Sequence, residues 1–189
     1  MASQQQPGTS LAKNRLQIWP ALLNSANPWA TTASDLQALY DCPHTGAVTI
    51  RTSLLGGFPH DASIHQYTFF SSSRGHATAN VGSDGRSEVN GGETSSLNTL
   101  GYSPISFNEY MTILVNLVSS PDFKIKNPPN PFIVSVTGSA DEIFECYQQM
   151  QEVHCSYGGL TLMMEINLSC PNILDKPPPA YDEIGRAHV

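Results

Sequence analysis

The residues best suited to chemistry stand together in residues 165–176, which read EINLSCPNILDK. This stretch follows the apolar run LTLMM and places the thiol of Cys170 between the carboxamides of Asn167 and Asn172. A thiol beside a bound ligand can act as a general base or as a nucleophile. No histidine stands nearby in the sequence to activate Cys170, which favours proton abstraction and leaves nucleophilic attack open.

This motif ends the last of four predicted strands, which alternate with predicted helices. The strands are expected at residues 21–26, 46–53, 131–138 and 160–169, and the helices at 32–42, 106–120 and 139–154. Ser34 is the predicted N-cap of the first helix, and Ser139 with Glu142 forms a predicted capping box for the third. The alternation predicts an α/β fold with a parallel sheet.

The glycine-rich fingerprints of open dinucleotide- and nucleotide-binding sheets are missing from the sequence, which favours a (β/α)8 TIM barrel. Such a barrel takes about 250 residues, so 189 residues would supply about its first four βα units.

In a barrel the ligand faces the carboxyl ends of the strands. The four predicted strands end in uncharged hydrogen-bonding groups, which suit a flat polar heterocycle. The alternative is that these ends are polar only because loops follow them. The stretch 71–97 is poor in apolar residues; residues 71–92 are predicted to be a flexible surface insertion, and residues 95–104, SSLNTLGYSP, could cover the ligand.

Composition limits the classes of function. A net charge of −7 with nine Lys and Arg predicts no nucleic-acid partner, and no apolar run approaches the roughly 18 residues that cross a bilayer. The N-terminal residues have no signal-peptide pattern, which predicts a cytoplasmic protein with reduced cysteines. The histidines lack metal-ligand spacing, so no metal site is predicted. Three thiols are expected to be small buried hydrophobes: Cys42, Cys146 and Cys155.

Residues 167–172, NLSCPN, with Lys176-Pro177 and Ala180-Tyr181-Asp182, strongly resemble the strand-four motif of the class 1 (cytosolic) dihydroorotate dehydrogenases. These are FMN-dependent TIM-barrel oxidoreductases of pyrimidine biosynthesis. Residues 23–26 and 98–101 resemble two further segments of that family in the right order, and the similarity extends over about residues 21–182.

The resemblance implies a role for each matching residue. Cys170 would be the base that takes a proton from C5 of dihydroorotate, while hydride passes from C6 to the flavin. Substrate would be bound by Asn98, Leu100, Gly101, Asn167 and Asn172, and FMN by Ser25, Ala26, Arg51, Thr52 and Asn167. The implied electron acceptor is a soluble one such as fumarate, and the full-length protein would be a homodimer.

Three departures from the family pattern bear on the substrate. Arg51 stands where the family has lysine, Tyr102-Ser103-Pro104 replaces Leu-Pro-Asn, and residues 71–92 have no counterpart. A diverged paralogue acting on a related cyclic substrate, and a thiol-nucleophile transferase, therefore stay open as alternatives.

The similarity stops after Asp182, and residues 184–189, IGRAHV, resemble the translation of a common sequencing adapter. We therefore expect a disordered tail at 1–20, the N-terminal half of a barrel at 21–183 and a non-native tail at 184–189. Such a fragment alone would be inactive, would bind FMN poorly and would expose an unpaired sheet edge.

Overall fold

The computed structural model describes residues 18–73, 76–77, 81–82, 92–168 and 170. The predictions for residues 1–17, Asn172 and 184–189 lie outside these residues. In chain order the elements are α1 (Ala33–Asp41), β1 (Val48–Thr49), β2 (Gln66–Ser71), β3 (His76–Ala77), β4 (Val81–Gly82), β5 (Ser95–Asn98), α2 (Phe107–Ser119), β6 (Phe132–Val136), α3 (Ala140–Ser156) and β7 (Leu162–Ile166).

Three strands form a parallel sheet in the order β1-β6-β7, and helices connect them. The predicted first strand, residues 21–26, forms a single parallel bridge between Leu23 and Ala47. It is held to β1 by the Asn24 carboxamide, which donates to the Thr49 carbonyl at 2.6 Å and accepts from the Thr49 N–H at 3.0 Å. The predicted α/β class with a parallel sheet is confirmed, and it is compatible with part of a TIM barrel. Among the described residues the strands do not close into a barrel.

Each helix begins with a capping box. Ser139 caps α3, and the Ser139 N–H donates to the Glu142 carboxylate at 2.8 Å, as the sequence predicted. The predicted cap of α1 was wrong by two residues, since Thr32 and not Ser34 accepts from the Asp35 N–H, at 3.2 Å. Thr32 has the extended backbone of an N-cap, whereas Ser34 already lies in the first helical turn.

The three helices pack on one face of the parallel sheet. Tyr40 of α1 stacks on Phe132 of β6 with 5.4 Å between ring centroids, and Tyr110 and Leu114 of α2 are fully buried in the same cluster. Burial of each such side chain contributes about 1.5–3 kcal/mol. This core holds the carboxyl ends of the strands in register.

The chain between β1 and α2 forms a second, antiparallel sheet, which was not predicted from the sequence. β2 pairs with β3, β4 and β5, and its longest ladder, to β5, runs from Phe70↔Ser95 to Tyr67↔Asn98. Trp29 packs edge-on against Tyr67 with 5.5 Å between centroids, which anchors this sheet to the loop before α1. The sequence did not predict these strands, whose pairing and packing join residues that lie far apart along the chain. The flexibility expected of residues 71–92 stays a prediction.

The cysteines are free thiols in different environments. Cys146 is buried as predicted, and burial raises its pKa to about 11. The same prediction was wrong for Cys155, which is exposed near the end of α3, and Cys42 is only partly buried. In the part of the chain that the structure describes, no helix has the length and apolar character needed to cross a membrane.

Candidate active site

A β-bulge where β1 leaves the sheet shapes the centre of the site. Thr49 is opposite Ile133 and Ser53 is opposite Val136, so four steps along one chain match three along β6. The N–H of Arg51 is turned away from β6 and donates to the Ala30 carbonyl at 2.8 Å. A bulge changes the face to which the following side chains point. The bulge explains why Arg51 and Thr52, which are adjacent in sequence, line the same pocket.

This pocket lies at the carboxyl ends of the parallel strands and has a volume of about 180 Å³. It brings together eight of the predicted site residues: Ala26, Arg51, Thr52, Asn98, Leu100, Gly101, Asn167 and Cys170. Ser25 does not line it, and Asn172 is outside the described residues. Three residues not predicted for the site complete the lining: Asn27, Pro28 and Tyr102.

Ser25 acts on the pocket through its backbone. Its carbonyl accepts from the Asn27 side chain at 2.7 Å, and the Asn27 Oδ1 atom accepts from the Trp29 N–H at 2.9 Å. These bonds hold the turn on which Ala26 and Pro28 reach the pocket. The Asn27-Pro28 dipeptide, a common turn signal, could have indicated this from the sequence.

Arg51 is a buried cation, with 5% of its surface exposed. One terminal N–H donates to the Gly101 carbonyl at 2.8 Å, while its Nε atom has no hydrogen-bond partner. Burial lowers the pKa of Arg51, because the charged form loses its hydration, and Tyr110 and Cys170 act against that effect. A buried guanidinium with an unused donor is suited to bind an anionic or carbonyl oxygen of a ligand.

A chain of hydrogen bonds crosses the three strand ends and orients Asn167. The Asn167 Nδ2 atom donates to Thr52 Oγ1 at 2.8 Å, Thr52 is 2.9 Å from Ser135 Oγ, and Ser135 donates to Glu165 at 2.7 Å. Since Ser135 has one hydroxyl proton and gives it to Glu165, Thr52 must be the donor in the middle bond. All the hydroxyl protons are thereby assigned, and the Asn167 carboxamide is held toward β1.

The antiparallel sheet positions the other predicted amide. Asn98 ends β5, and its Oδ1 atom accepts from the Leu100 N–H at 3.2 Å. Gly101 follows Leu100 in the pocket lining, and a β-carbon on Gly101 would collide with the ring of Phe58. The backbone can therefore pass close to the pocket and present the Gly101 carbonyl to Arg51.

Tyr102 also lines the pocket, although the sequence did not predict it as a site residue. Its side chain is 9% exposed and its ring meets Phe58 edge-on, with 5.9 Å between centroids. Burial raises the pKa of Tyr102, the Thr137 hydroxyl acts in the opposite direction, and Cys170 raises it further. Its position directly after Leu100-Gly101 was a signal available from the sequence.

The assembled groups define a class of site: a small polar pocket at strand carboxyl ends, with amides, one buried cation and one thiol. Such a pocket can orient a flat ring and accept one proton from it. The protein groups offer no electron acceptor of their own, so a redox reaction here would use a cofactor.

Comparisons with known proteins show that part of the chain is similar to one class of enzyme. A putative dihydroorotate dehydrogenase A (fumarate) of Streptococcus uberis is 35% identical over 88 residues, which cover 46% of this chain and 25% of the relative. Dihydroorotate dehydrogenase A (fumarate) of Lactococcus lactis is 33% identical over 91 residues, covering 48% and 26%. The chain thus spans about a quarter of the length of the curated relatives it matches. No family model matches the sequence. Part of the chain is therefore similar to class 1 dihydroorotate dehydrogenases, which are oxidoreductases.

Proposed function

We propose that these residues form the first βα units of an FMN-dependent (β/α)8 barrel that oxidises dihydroorotate to orotate, a step of de novo pyrimidine (UMP) biosynthesis. The observation that carries the proposal is the meeting of Cys170 with Asn98, Asn167 and Arg51 in one pocket at the strand ends. The names of the two relatives support the same reaction.

The donors present fit a flavin. The unused Nε of Arg51 is suited to an electron-rich oxygen or nitrogen of the isoalloxazine ring, and Thr52 and Asn167 stand beside it. Ser25 and Ala26 would support the ring from the neighbouring turn. A pocket of about 180 Å³ is smaller than the roughly 300–1,000 Å³ of a typical ligand site, so the described residues would enclose only part of the flavin and the substrate. When bound, FMN would supply the acceptor for the hydride from C6 of dihydroorotate.

Cys170 would perform the acid–base step. As thiolate it would take the proton from C5, and the electron pair of that C–H bond would become the C5=C6 double bond as hydride leaves C6. Asn98, Asn167 and Asn172 would hold the substrate's carboxylate and ring amides, with the backbone at Leu100 and Gly101 beside them. The residues of the chain thus bind, orient and move one proton.

Fumarate, which both relatives carry in their names, is the proposed electron acceptor. We also propose a homodimer for the full-length protein, on the resemblance of its sequence to the family alone. Residues beyond those described would have to hold the FMN phosphate.

The test is anaerobic addition of dihydroorotate to the purified full-length protein after it has been incubated with FMN. We expect flavin uptake and loss of the visible flavin absorbance. A protein that takes up no FMN contradicts the cofactor, and a yellow protein that dihydroorotate does not bleach contradicts only the substrate.

The Cys170→Ser variant tests the role of the thiol. If Cys170 is the base, this variant should keep flavin uptake and slow flavin reduction by about 10²–10⁴-fold. Cys155→Ser is the matched control, since Cys155 is exposed on α3, and its reduction rate should equal that of the wild type. Covalent labelling of Cys170 by an acyl or alkyl substrate would instead support the thiol-nucleophile alternative.

A further inference from the structure

Tyr102 is held firmly in place beside Cys170. The next residue, Ser103, donates its N–H to the Thr52 carbonyl at 2.7 Å and accepts from the Phe58 N–H at 2.9 Å. The preceding carbonyl, of Gly101, accepts from Arg51. With the backbone fixed on both sides and the ring packed on Phe58, the phenol can occupy few positions.

Tyr102 and Cys170 line the same pocket, and the side chains of Thr137 and Cys170 both affect the pKa of the Tyr102 hydroxyl. Thr137 lies just after β6 and is buried, with 5% of its surface exposed. Since burial raises the pKa of Tyr102, the phenol keeps its proton at neutral pH and can donate it in a hydrogen bond. Thr137 can at the same time donate to the phenol oxygen, which strengthens the phenol as a donor.

We propose that Tyr102 is a positioning residue for Cys170: its hydroxyl donates a hydrogen bond to the thiolate, stabilises it and directs it into the pocket. The inference rests on the proposed function, in which Cys170 is the base. The phenol proton stays on its oxygen throughout, while the proton from C5 of the substrate goes to sulfur.

The buried hydroxyl of Tyr102 needs a hydrogen-bond partner to offset its desolvation. Thr137 and Cys170 are the side chains that affect this hydroxyl.

The experiment measures alkylation of Cys170 by iodoacetamide at pH 7 in the chain as it stands, with peptide mass spectrometry. Cys155 is exposed and serves as the reference thiol in every sample. Because only the thiolate reacts, Tyr102→Phe should lower the Cys170/Cys155 rate ratio by roughly three- to tenfold. Thr137→Val should lower the ratio by less, since it only weakens the donor.

Tyr40→Phe is the matched control. Tyr40 is also buried, but its hydroxyl accepts from the Lys126 N–H at 3.2 Å, on the helix side of the sheet. The Tyr40→Phe substitution should leave the Cys170/Cys155 rate ratio unchanged. A ratio that stays the same or rises in Tyr102→Phe overturns the proposal, because loss of packing alone would expose Cys170 and speed its alkylation.

Alkylation needs neither FMN nor dihydroorotate, so the two proposals can fail separately. A lowered ratio in this chain, together with a full-length protein that takes up no flavin, supports the hydrogen bond and contradicts the function. Normal flavin reduction with an unchanged ratio contradicts the role of Tyr102 alone.

Discussion

At the scale of the residue, Arg51 shows how a site can be built at the expense of stability. The guanidinium is buried, its Nε has no partner, and Gly101 supplies its one observed acceptor. A buried donor left unsatisfied costs about 1–3 kcal/mol. Such a residue is expected where a ligand completes its hydrogen bonds.

Arg51→Met should therefore keep or raise the free energy of unfolding, by up to about 1 kcal/mol, and weaken FMN binding at least about tenfold. Urea denaturation measures the first quantity and quenching of FMN fluorescence the second. Arg51→Lys keeps the charge and should bind FMN with intermediate affinity. A large loss of stability with unchanged FMN affinity would make Arg51 a structural residue.

At the scale of the element, the N-cap of α1 is Thr32 and not Ser34, the residue predicted from the sequence. Thr32 accepts from the Asp35 N–H, and the Asp35 carboxylate accepts from the Thr32 N–H at 2.9 Å. Thr32→Ala should lower the free energy of unfolding by about 1 kcal/mol. Ser34→Ala is the control and should change it by no more than a few tenths, as measured by urea denaturation. A larger loss of stability in Ser34→Ala than in Thr32→Ala would show that Ser34 is the cap.

The capping box of α3 makes its stability depend on pH. Hydrogen bonds from the Ser139 N–H and hydroxyl lower the pKa of Glu142 below its ordinary value of 4.5. Because the folded value is the lower one, this stabilisation is complete above pH 4.5 and is lost as the pH falls through the folded pKa.

Glu142→Gln keeps a hydrogen-bond acceptor and removes the titration. Between pH 7 and pH 3 the wild type should lose more free energy of unfolding than this variant, by no more than about 0.5 kcal/mol, because solvent screens this carboxylate. Urea denaturation at a series of pH values measures the difference. Glu152→Gln, later on the same helix, should follow the wild type; equal slopes for all three proteins would refute the prediction.

At the scale of the whole molecule, the parallel sheet is open at β7, which has β6 as its strand neighbour among the described residues. Ile166, the last residue of β7, is 49% exposed. An apolar strand edge is a template for pairing with another chain. The isolated chain is therefore expected to self-associate through this edge.

Ile166→Lys should weaken that association at least about tenfold, because a charge at the edge opposes strand pairing. Sedimentation velocity over a range of concentrations measures it. Ile125→Lys is the matched control, since Ile125 is 50% exposed outside the strands. Equal weakening by both variants would assign the association to general surface hydrophobicity.

Local patterns were enough to predict much of this molecule from its sequence. The capping box of α3, the apolar runs of β6 and β7 and the thiol between two amides are each set by a few neighbouring residues. The α/β class follows from them, because strands that alternate with helices have few ways to bury their apolar faces.

The tertiary structure alone decided the features that depend on distant parts of the chain. The bulge that brings Arg51 and Thr52 into one pocket requires the register against β6. The antiparallel sheet that places Asn98 depends on the contact between Trp29 and Tyr67. The pocket that Tyr102 and Cys170 share brings together residues 68 positions apart in sequence. Periodicity and propensity are local quantities, so contacts of this kind are set only when the chain folds.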